Sequence, residues 1–205
     1  GRRMISTHRK YSSRNFFIGA MIAIIPFLIL LYAVLLHEEA LTAWDYQVGQ
    51  FFYNLRSEEW TPVIIGITTI GDVRWQVILT TVVVIFLWIT DQRSESELLL
   101  FNMVVGSSWL NHSLKQLVGR IRPTEVTHLI EQGGYSFPSG HAMGTTIFFA
   151  TLIFIVWKNI NNRSINIFLT VLFVLLIISI ACSRVYLGVH FVSDIIAGTS
   201  VGLSF

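Results

Sequence analysis

Long apolar runs separated by short polar segments dominate the sequence. Each run has roughly the number of residues that an α-helix needs to cross the hydrocarbon core of a bilayer. The runs cover 16–36, 73–90, 98–118, 141–157, 165–182 and 189–205. The pattern predicts an all-α fold, an integral membrane bundle of six transmembrane helices. Because no repeat or second domain is evident, we expect 1–205 to form a single transmembrane domain.

The placement of basic residues predicts how these helices are oriented. Five of them precede the first run, and under the positive-inside rule they place the N-terminus in the cytoplasm. They are Arg2, Arg3, Arg9, Lys10 and Arg14. Lys158 and Arg163, in the turn after the fourth run, agree with this orientation. Six spans then place both termini inside and the long loop 119–139 outside.

Two shorter elements are predicted between the first and second runs. Leu41, Trp44 and Val48 recur at helical spacing and leave polar side chains elsewhere. This pattern predicts a helix in the outer membrane interface, either as packing over the bundle or as a wall or lateral gate for a lipid substrate. The apolar stretch 62–70 is too short to span, which predicts a tucked-in helix near the outer surface.

The composition agrees with a membrane protein and excludes other classes. The chain is 53% hydrophobic and only 13% charged, which is too apolar for a soluble domain of 205 residues. A net charge of +2 gives no indication of a nucleic-acid partner, and no obligatory protein partner is evident. Cys182 is the only cysteine, which excludes an intrachain disulfide and a cysteine-rich metal site.

A short motif at 135–141 marks the candidate chemistry. It reads Tyr-Ser-Phe-Pro-Ser-Gly-His and lies where a polar loop turns into the fourth apolar run. A helix start carries about half a positive charge on its free N–H groups, and a glycine there lets the backbone approach a ligand closely. Ser139, Gly140 and His141 are therefore predicted to direct N–H groups toward an anion, with the histidine as an additional proton donor.

Further charged residues lie at helix ends on the same predicted side of the membrane. Lys115 and Arg122 follow the third run, Arg184 follows the fifth, and His190 precedes the sixth. A single Lys or Arg near a helix end is often only a snorkelling side chain. Three cations and two histidines together instead predict an anion site, because charges near hydrocarbon are costly. His190 and Asp194 are four residues apart, which allows a contact across one helical turn.

These pieces, in this order, resemble the signature of the type 2 phosphatidic acid phosphatase superfamily, which also includes vanadium haloperoxidases and glucose-6-phosphatase. The three pieces are Lys115 with Arg122 and Pro123, then Pro-Ser-Gly-His at 138–141, then Ser183 and Arg184 with His190 and Asp194. The resemblance extends from 115 to about 198 and shows no departure at a core motif position. Within the superfamily, the compact, membrane-embedded chain is similar to the bacterial phosphatidylglycerophosphatase B group.

The resemblance implies a role for each residue. His190 is the expected nucleophile, which forms a phosphohistidine, and Asp194 orients its Nδ1 proton. His141 is expected to protonate the departing alkoxide and then to activate water. The remaining residues are expected to bind phosphate: Lys115, Arg122, Ser139, Gly140 and Arg184. We expect no metal and no cofactor, because three cations in one pocket would repel a divalent ion.

The same resemblance implies lipid phosphates in the bilayer as substrates. Phosphatidylglycerophosphate, giving phosphatidylglycerol, and undecaprenyl pyrophosphate, giving the monophosphate, are the expected substrates, with phosphatidic acid and diacylglycerol pyrophosphate as alternatives. Vanadate-dependent halide oxidation and an anion channel are alternatives of another kind, although the apolar inner parts of the last three spans argue against a channel. Asn111 and His112 are expected to form interhelical hydrogen bonds, with a substrate contact as the alternative.

Overall fold

Helices form all the regular secondary structure of this computed structural model, which describes residues 13–124 and 126–205. Those ranges hold ten α-helices, one π-helix and no strand, which confirms the predicted all-α fold. The helices are α1 (Ser13–Ala23), α2 (Ile25–Leu35), α3 (Glu39–Asn54), α4 (Thr61–Thr69), α5 (Val73–Ile89), α6 (Arg93–Phe101), the π-helix (Asn102–Leu110), α7 (Asn111–Val118), α8 (Gly140–Asn159), α9 (Arg163–Tyr186) and α10 (Val192–Ser204). Outside the described residues lie Arg2, Arg3, Arg9 and Lys10 of the predicted basic leader.

Three helical segments are long and apolar enough to cross a membrane. They are Phe17–Leu35, Gly140–Asn159 and Arg163–Tyr186. α4 and α5 together form a fourth candidate, although they meet at an angle of 49°. The last predicted span corresponds to α10, which has only 13 residues, and the third is divided among α6, the π-helix and α7. Among the described residues, length and composition therefore support three or four crossings, fewer than the predicted six.

Pro26 interrupts the first apolar segment. α1 ends at Ala23 and α2 begins at Ile25, because proline has no N–H to donate and its ring clashes with the preceding turn. The hydroxyl of Ser200 on α10 accepts a hydrogen bond from the N–H of Phe27 at 3.1 Å and donates to the carbonyl of Ala23. The break in the first segment therefore gives it a polar contact with the last helix.

The third apolar run has a π-helical middle, whereas the sequence predicts a regular span. Gly106 of the π-helix packs against α8, where a methyl group at this glycine would come within 2.8 Å of Ile147 Cδ1. Gly119 follows the last residue of α7, and its φ of 63° is a left-handed conformation that glycine adopts without strain. Single π-helical segments often occur beside functional sites. Residues of this π-helix line the cavity that the motif residues also border.

α8 is the central helix, and most of its first half is buried against the π-helix, α9 and α10. Two glycines let α10 approach it closely. A methyl group at Gly198 would lie 2.6 Å from the carbonyl oxygen of Ser139, and one at Gly202 would lie 2.9 Å from Cβ of Thr146. Glycines four residues apart form the small-residue face that membrane helices use for close packing. This packing fixes the start of α8 against α10.

α3 corresponds to the predicted interfacial helix, and α4 corresponds to the predicted short helix at 62–70. α3 contacts α9 and α10. Trp44 and Tyr46 are exposed, whereas the carboxylate of Asp45 between them is buried. Among the described residues that line the main cavity, none belongs to α3. The position of α3 therefore favours packing over the bundle rather than a gate.

Candidate active site

A cavity of about 580 Å³ lies where the ends of α7, α8 and α9 meet the loop before α10. Six of the eight predicted site residues line it, and they come from three helices and two loops. They are Lys115, Arg122, Gly140, His141, Arg184 and His190. Ser139 and Asp194 lie behind this lining and are fully buried. The structure thus brings the predicted cations and both histidines to one place.

His190 lies in the short loop between α9 and α10 and is only 3% exposed. Its Nε2 atom lies 2.9 Å from Nη1 of Arg122. A guanidinium can only donate, so Nε2 must hold a lone pair and a neutral ring carries its proton on Nδ1. That Nδ1 atom lies 3.4 Å from both Asp194 Oδ2 and Ser136 Oγ. The contacts therefore select the tautomer that a nucleophilic Nε2 requires.

Asp194 contacts His190, but not across a turn of one helix as the spacing predicts. α10 begins only at Val192, so His190 precedes the helix and Asp194 lies in its first turn. The carboxylate of Asp194 accepts the N–H of Phe191 at 2.7 Å, as a helix-capping residue does, and it also accepts a hydrogen bond from the hydroxyl of Ser136. The cap, rather than a shared helical face, brings the two side chains together.

Arg120 connects Asp194 to α3, a contact that the sequence does not predict. Its Nη1 donates to Asp194 Oδ1 and its Nη2 donates to Asp45 Oδ2, both at 2.7 Å. Asp45 also accepts the backbone N–H of Ser193 at 2.9 Å. The guanidinium lies over the ring of Phe191, 4.0 Å from its centroid. The only sequence signal for Arg120 is its place between Lys115 and Arg122 in the first piece of the signature. Asp45 is too distant along the chain for the sequence to predict that the two residues pair.

Arg122 and Lys115 are held mainly by backbone carbonyls. Arg122 donates to the carbonyls of Val189 at 2.9 Å and Gly133 at 3.0 Å. Burial is the main cause that lowers the pKa of the Arg122 guanidinium, although an arginine stays charged at neutral pH. The ammonium of Lys115 donates to the carbonyl of Tyr135 at 2.8 Å. Both cations are oriented without being neutralised by these partners.

Arg184 is completely buried, and its hydrogen-bond partners are also neutral. It donates to Gln132 Oε1 at 2.7 Å and to Thr68 Oγ1 at 3.2 Å. Its Nε atom has no partner among the described residues. A buried charge is costly unless something compensates for it. An anion in the adjoining cavity would supply that compensation. No sequence signal points to Gln132 or Thr68.

Ser139 lies behind the cavity wall, where its polar groups bond within the protein. It is the N-cap of α8: its hydroxyl accepts the N–H of Ala142 at 3.2 Å, and its own N–H donates to the carbonyl of Asp194 at 3.0 Å. Its backbone N–H is therefore satisfied by the protein rather than left free for an anion. Gly140, the first residue of α8, does line the cavity, so its backbone keeps the predicted position at a helix start.

His141 also makes a contact that the sequence does not predict. Its Nε2 atom lies 2.8 Å from Oδ1 of Asp72, the residue that precedes α5. Asp72 appears in the sequence only as one of several acidic residues between the first two spans. Because α4 and α5 bend toward the start of α8, this carboxylate reaches the second motif.

Asn111 and His112 lie on the cavity wall formed by α7. Asn111 is buried and donates to the carbonyl of Pro138 at 3.3 Å, which agrees with the predicted structural hydrogen bond. His112 is exposed at the cavity, so a substrate contact stays open for it. Across the described chain, no group of three or more His, Cys, Asp and Glu side chains is arranged to hold a metal ion.

Comparison with known proteins identifies the arrangement. Residues 96–205, which include all eight predicted site residues, match the PAP2 superfamily. The chain belongs to the PAP2 superfamily. Phosphatidylglycerophosphatase B of Bacillus subtilis is 30% identical to it over 180 residues, covering 85% of both chains. The lipid A 4′-phosphatase of Bacteroides thetaiotaomicron is 29% identical over 171 residues, which are 78% of this chain and 65% of that protein.

The fold agrees with a solved structure of the same superfamily. The crystal structure of a transmembrane PAP2 type phosphatidylglycerolphosphate phosphatase from Bacillus subtilis superimposes with a TM-score of 0.83. It is 26% identical and covers 91% of both chains. The predicted superfamily is thus confirmed. This PAP2 protein is a membrane protein and a lipid phosphatase, a phosphoric monoester hydrolase that acts on lipids.

Proposed function

We propose that this PAP2 protein removes phosphate from the headgroup of a membrane lipid through a phosphohistidine on His190. A single observation carries the proposal: one cavity joins the cations and histidines to an apolar wall. α5 and the π-helix form that wall with Val73, Val77, Met103 and Val104. The charged end fits a phosphate, and the wall fits a hydrocarbon tail.

The apolar wall is open toward the surface of the bundle. Val77 is 59% exposed and Val104 is 55% exposed, although both line the cavity. Residues that belong to both surfaces lie at the rim of an opening, and the rim of a membrane helix bundle faces lipid. A lipid substrate would therefore keep its tail in the bilayer while its phosphate reaches the cations.

In the first step, the hydrogen bond from Arg122 to Nε2 of His190 breaks, and Nε2 attacks phosphorus. As the N–P bond forms, the P–O bond to the lipid breaks, and His141 gives a proton to the departing alkoxide. Lys115, Arg122 and Arg184 stabilise the negative charge that spreads over the equatorial oxygens of the transition state. Their positions around one cavity support this division of work.

In the second step, water attacks the phosphohistidine. His141, now without its extra proton, accepts a proton from that water, and the N–P bond breaks as Nε2 of His190 regains its lone pair. Inorganic phosphate leaves, and both histidines return to their starting states. The three cations supply the positive charge that a divalent ion supplies in other phosphatases, so we expect hydrolysis to persist in a chelator.

Phosphatidylglycerophosphate is the first proposed substrate, because a relative that covers most of the chain is named for its hydrolysis. Undecaprenyl pyrophosphate is the second, from the family resemblance of the motifs. A broad phosphatase for phosphatidic acid and diacylglycerol pyrophosphate is the alternative. The superfamily and the opening toward lipid favour an enzyme over an anion channel.

We further propose one transmembrane domain over 1–205 with six crossings, both termini in the cytoplasm and the active site on the extracytoplasmic side. The turn after α5 and the turn after α8 support a common orientation. Lys158, at the end of α8, bonds to Glu95 of α6 at 2.9 Å, so both turns lie at the same end of the bundle. The candidate active site lies at the other end of α8.

Phosphate release from a panel of these four lipids, by purified protein in detergent, tests the proposal. We expect release, with phosphate incorporated into the protein during turnover. His190→Asn should lower the rate at least about 1,000-fold and abolish the incorporation, because the nucleophile is lost. His37→Asn is the matched control, since His37 is exposed and its φ of 53° suits asparagine. Full turnover in His190→Asn would contradict the proposal.

A further inference from the structure

We infer that Asp72 is a positioning residue for His141, which it holds so that Nδ1 is the ring nitrogen that exchanges protons with the substrate. This inference rests on the proposed function, in which His141 protonates the leaving group. The hydrogen bond of 2.8 Å between His141 Nε2 and Asp72 Oδ1 joins residues that are 69 positions apart in the chain.

Asp72 belongs to the corner at which α4 and α5 meet at 49°. Gly71, in the same corner, also contacts the imidazole of His141. A methyl group at Gly71 would come within 2.7 Å of His141 Cδ2 and 3.3 Å of Cγ. The corner therefore holds one edge of the ring, the edge that carries Cδ2 and Nε2, through both a close packing contact and a hydrogen bond.

The other edge of the ring carries Nδ1, for which the described residues supply no hydrogen-bond partner. An ionised carboxylate can only accept hydrogen bonds, so Nε2 keeps its proton while it is bonded to Asp72. In the neutral ring, Nδ1 then holds the lone pair. In the protonated ring, Nδ1 holds the second proton. Nδ1 of His141 is therefore the atom that gives and takes protons in the cavity.

The charges around His141 give Asp72 a second effect. Arg184 and Lys115 line the same cavity as His141 and oppose a positive charge on its ring, whereas the carboxylate of Asp72, with Oδ1 2.8 Å from Nε2, favours that charge. His112 and His190, the other histidines that line the cavity, supply no negative charge. Asp72 is thus placed to keep His141 able to hold a second proton beside two cations.

The proton balance of the two steps follows from this arrangement. In the first step, the Nδ1–H bond of His141 breaks as the O–H bond of the leaving alcohol forms. In the second step, an O–H bond of water breaks as Nδ1–H forms again. Asp72 exchanges no proton in either step, because its part is to hold Nε2–H and to compensate for the positive charge.

Leaving-group dependence separates this role from a purely structural one. An alkyl phosphate such as phosphatidic acid needs a proton on its leaving oxygen, whereas p-nitrophenolate leaves without one. We expect Asp72→Asn to slow the first turnover of phosphatidic acid about 100-fold, which is typical of impaired general acid catalysis, and to change the nitrophenolate burst by less than about threefold. Asp91→Asn is the matched control, since Asp91 follows α5 at its other end with a φ of 61°.

Equal slowing of both substrates, or no slowing of either, would overturn the inference. Orthovanadate binding to the purified variant reports whether the phosphate site is still formed, and its loss would place Asp72 in that site and overturn the inference as well. The outcome for the proposed function is distinguishable. If the wild-type protein released no phosphate from any lipid, the proposed function would fail, whereas an active Asp72→Asn variant with unchanged leaving-group dependence would refute the inference alone.

Discussion

The two ends of α8 hold charged side chains in different ways. At its first end, His141 borders a cavity beside Arg184, a buried cation whose hydrogen-bond partners are neutral side chains. At its other end, Lys158 is half exposed and pairs with the carboxylate of Glu95. A helix of 20 residues separates the two ends by about 30 Å. The second end is electrostatically complete within the protein, whereas the first is arranged to receive an anion.

The difference between the two ends of α8 indicates which buried charges take part in catalysis. A buried cation that lacks a carboxylate costs free energy, so its presence indicates that a ligand compensates for it. Arg120 is the exception at the first end, because it bonds to both Asp45 and Asp194. It supports the carboxylate behind His190 rather than the phosphate itself. The cations near the cavity therefore divide into those open to substrate and one that organises the nucleophile.

The largest effect in this comparison is expected for Arg122→Lys. Lysine keeps the positive charge, but it lacks the planar group with which Arg122 can bond to the Gly133 carbonyl and also present N–H groups to a phosphate. We expect kcat/KM for a lipid phosphate to fall about 100- to 1,000-fold, as when one transition-state donor is removed. Arg163→Lys, at the start of α9 near the other end of α8, should leave kcat/KM unchanged. Full activity of Arg122→Lys would remove the contrast between the two ends.

A smaller effect is expected for Asp45→Asn. Asparagine can still accept the N–H of Ser193, but Asp194 is then the only carboxylate that pairs with Arg120. The stronger attraction of Arg120 for Asp194 weakens the contact between that carboxylate and His190. We expect kcat to fall on the order of tenfold, about 1.4 kcal/mol, with KM unchanged. Initial rates over a range of substrate concentrations measure both constants. Glu39→Gln, an exposed change on the same helix, is the control. A loss that appears only in KM would contradict this path to the nucleophile.

The smallest effect is expected at the other end, for Glu95→Gln. The ion pair with Lys158 is the main cause that lowers the pKa of Glu95 from 4.5 to about 2. A lowered pKa in the folded state stabilises the protein above pH 4.5, and this stabilisation is lost as the pH falls from there through about 2. Because Lys158 is half exposed, we expect about 1 kcal/mol or less at pH 7.

Thermal unfolding in detergent measures this effect. Glu95→Gln should melt below the wild-type protein at neutral pH, and the difference between the two should shrink as the pH falls through the window between 4.5 and about 2. Its kcat should equal that of the wild-type protein. A loss of kcat comparable to that of Asp45→Asn would show that the two ends are not functionally distinct.

The sequence predicts the all-α fold and the three cations and two histidines proposed to act at the cavity because each signal is local. An apolar run predicts the helix that it forms itself, and Pro-Ser-Gly-His predicts a helix start within a few residues. His190 and Asp194 are predicted as a pair from their spacing, and they do lie in contact. The reason differs from the prediction, because the N-terminal cap of α10 rather than a helical face places them.

Contacts between distant segments could not be predicted in this way. Asp72 reaches His141 because α4 and α5 bend toward α8, and Asp45 reaches Arg120 because α3 packs over the bundle. Neither packing arrangement leaves a periodic signal in the sequence. The π-helix is not predicted for a similar reason. Gly106 packs closely against α8, and this contact leaves no trace in the hydrophobic pattern of the third apolar run.

The opening between α5 and the π-helix bears on pharmacology. A competitive inhibitor that enters past Val77 and Val104 would approach through lipid, so it would need a compact acidic group attached to a hydrophobic moiety. Its occupancy would follow its mole fraction in the bilayer rather than its concentration in water. Two assays with the same total compound but different amounts of detergent would then report different potencies.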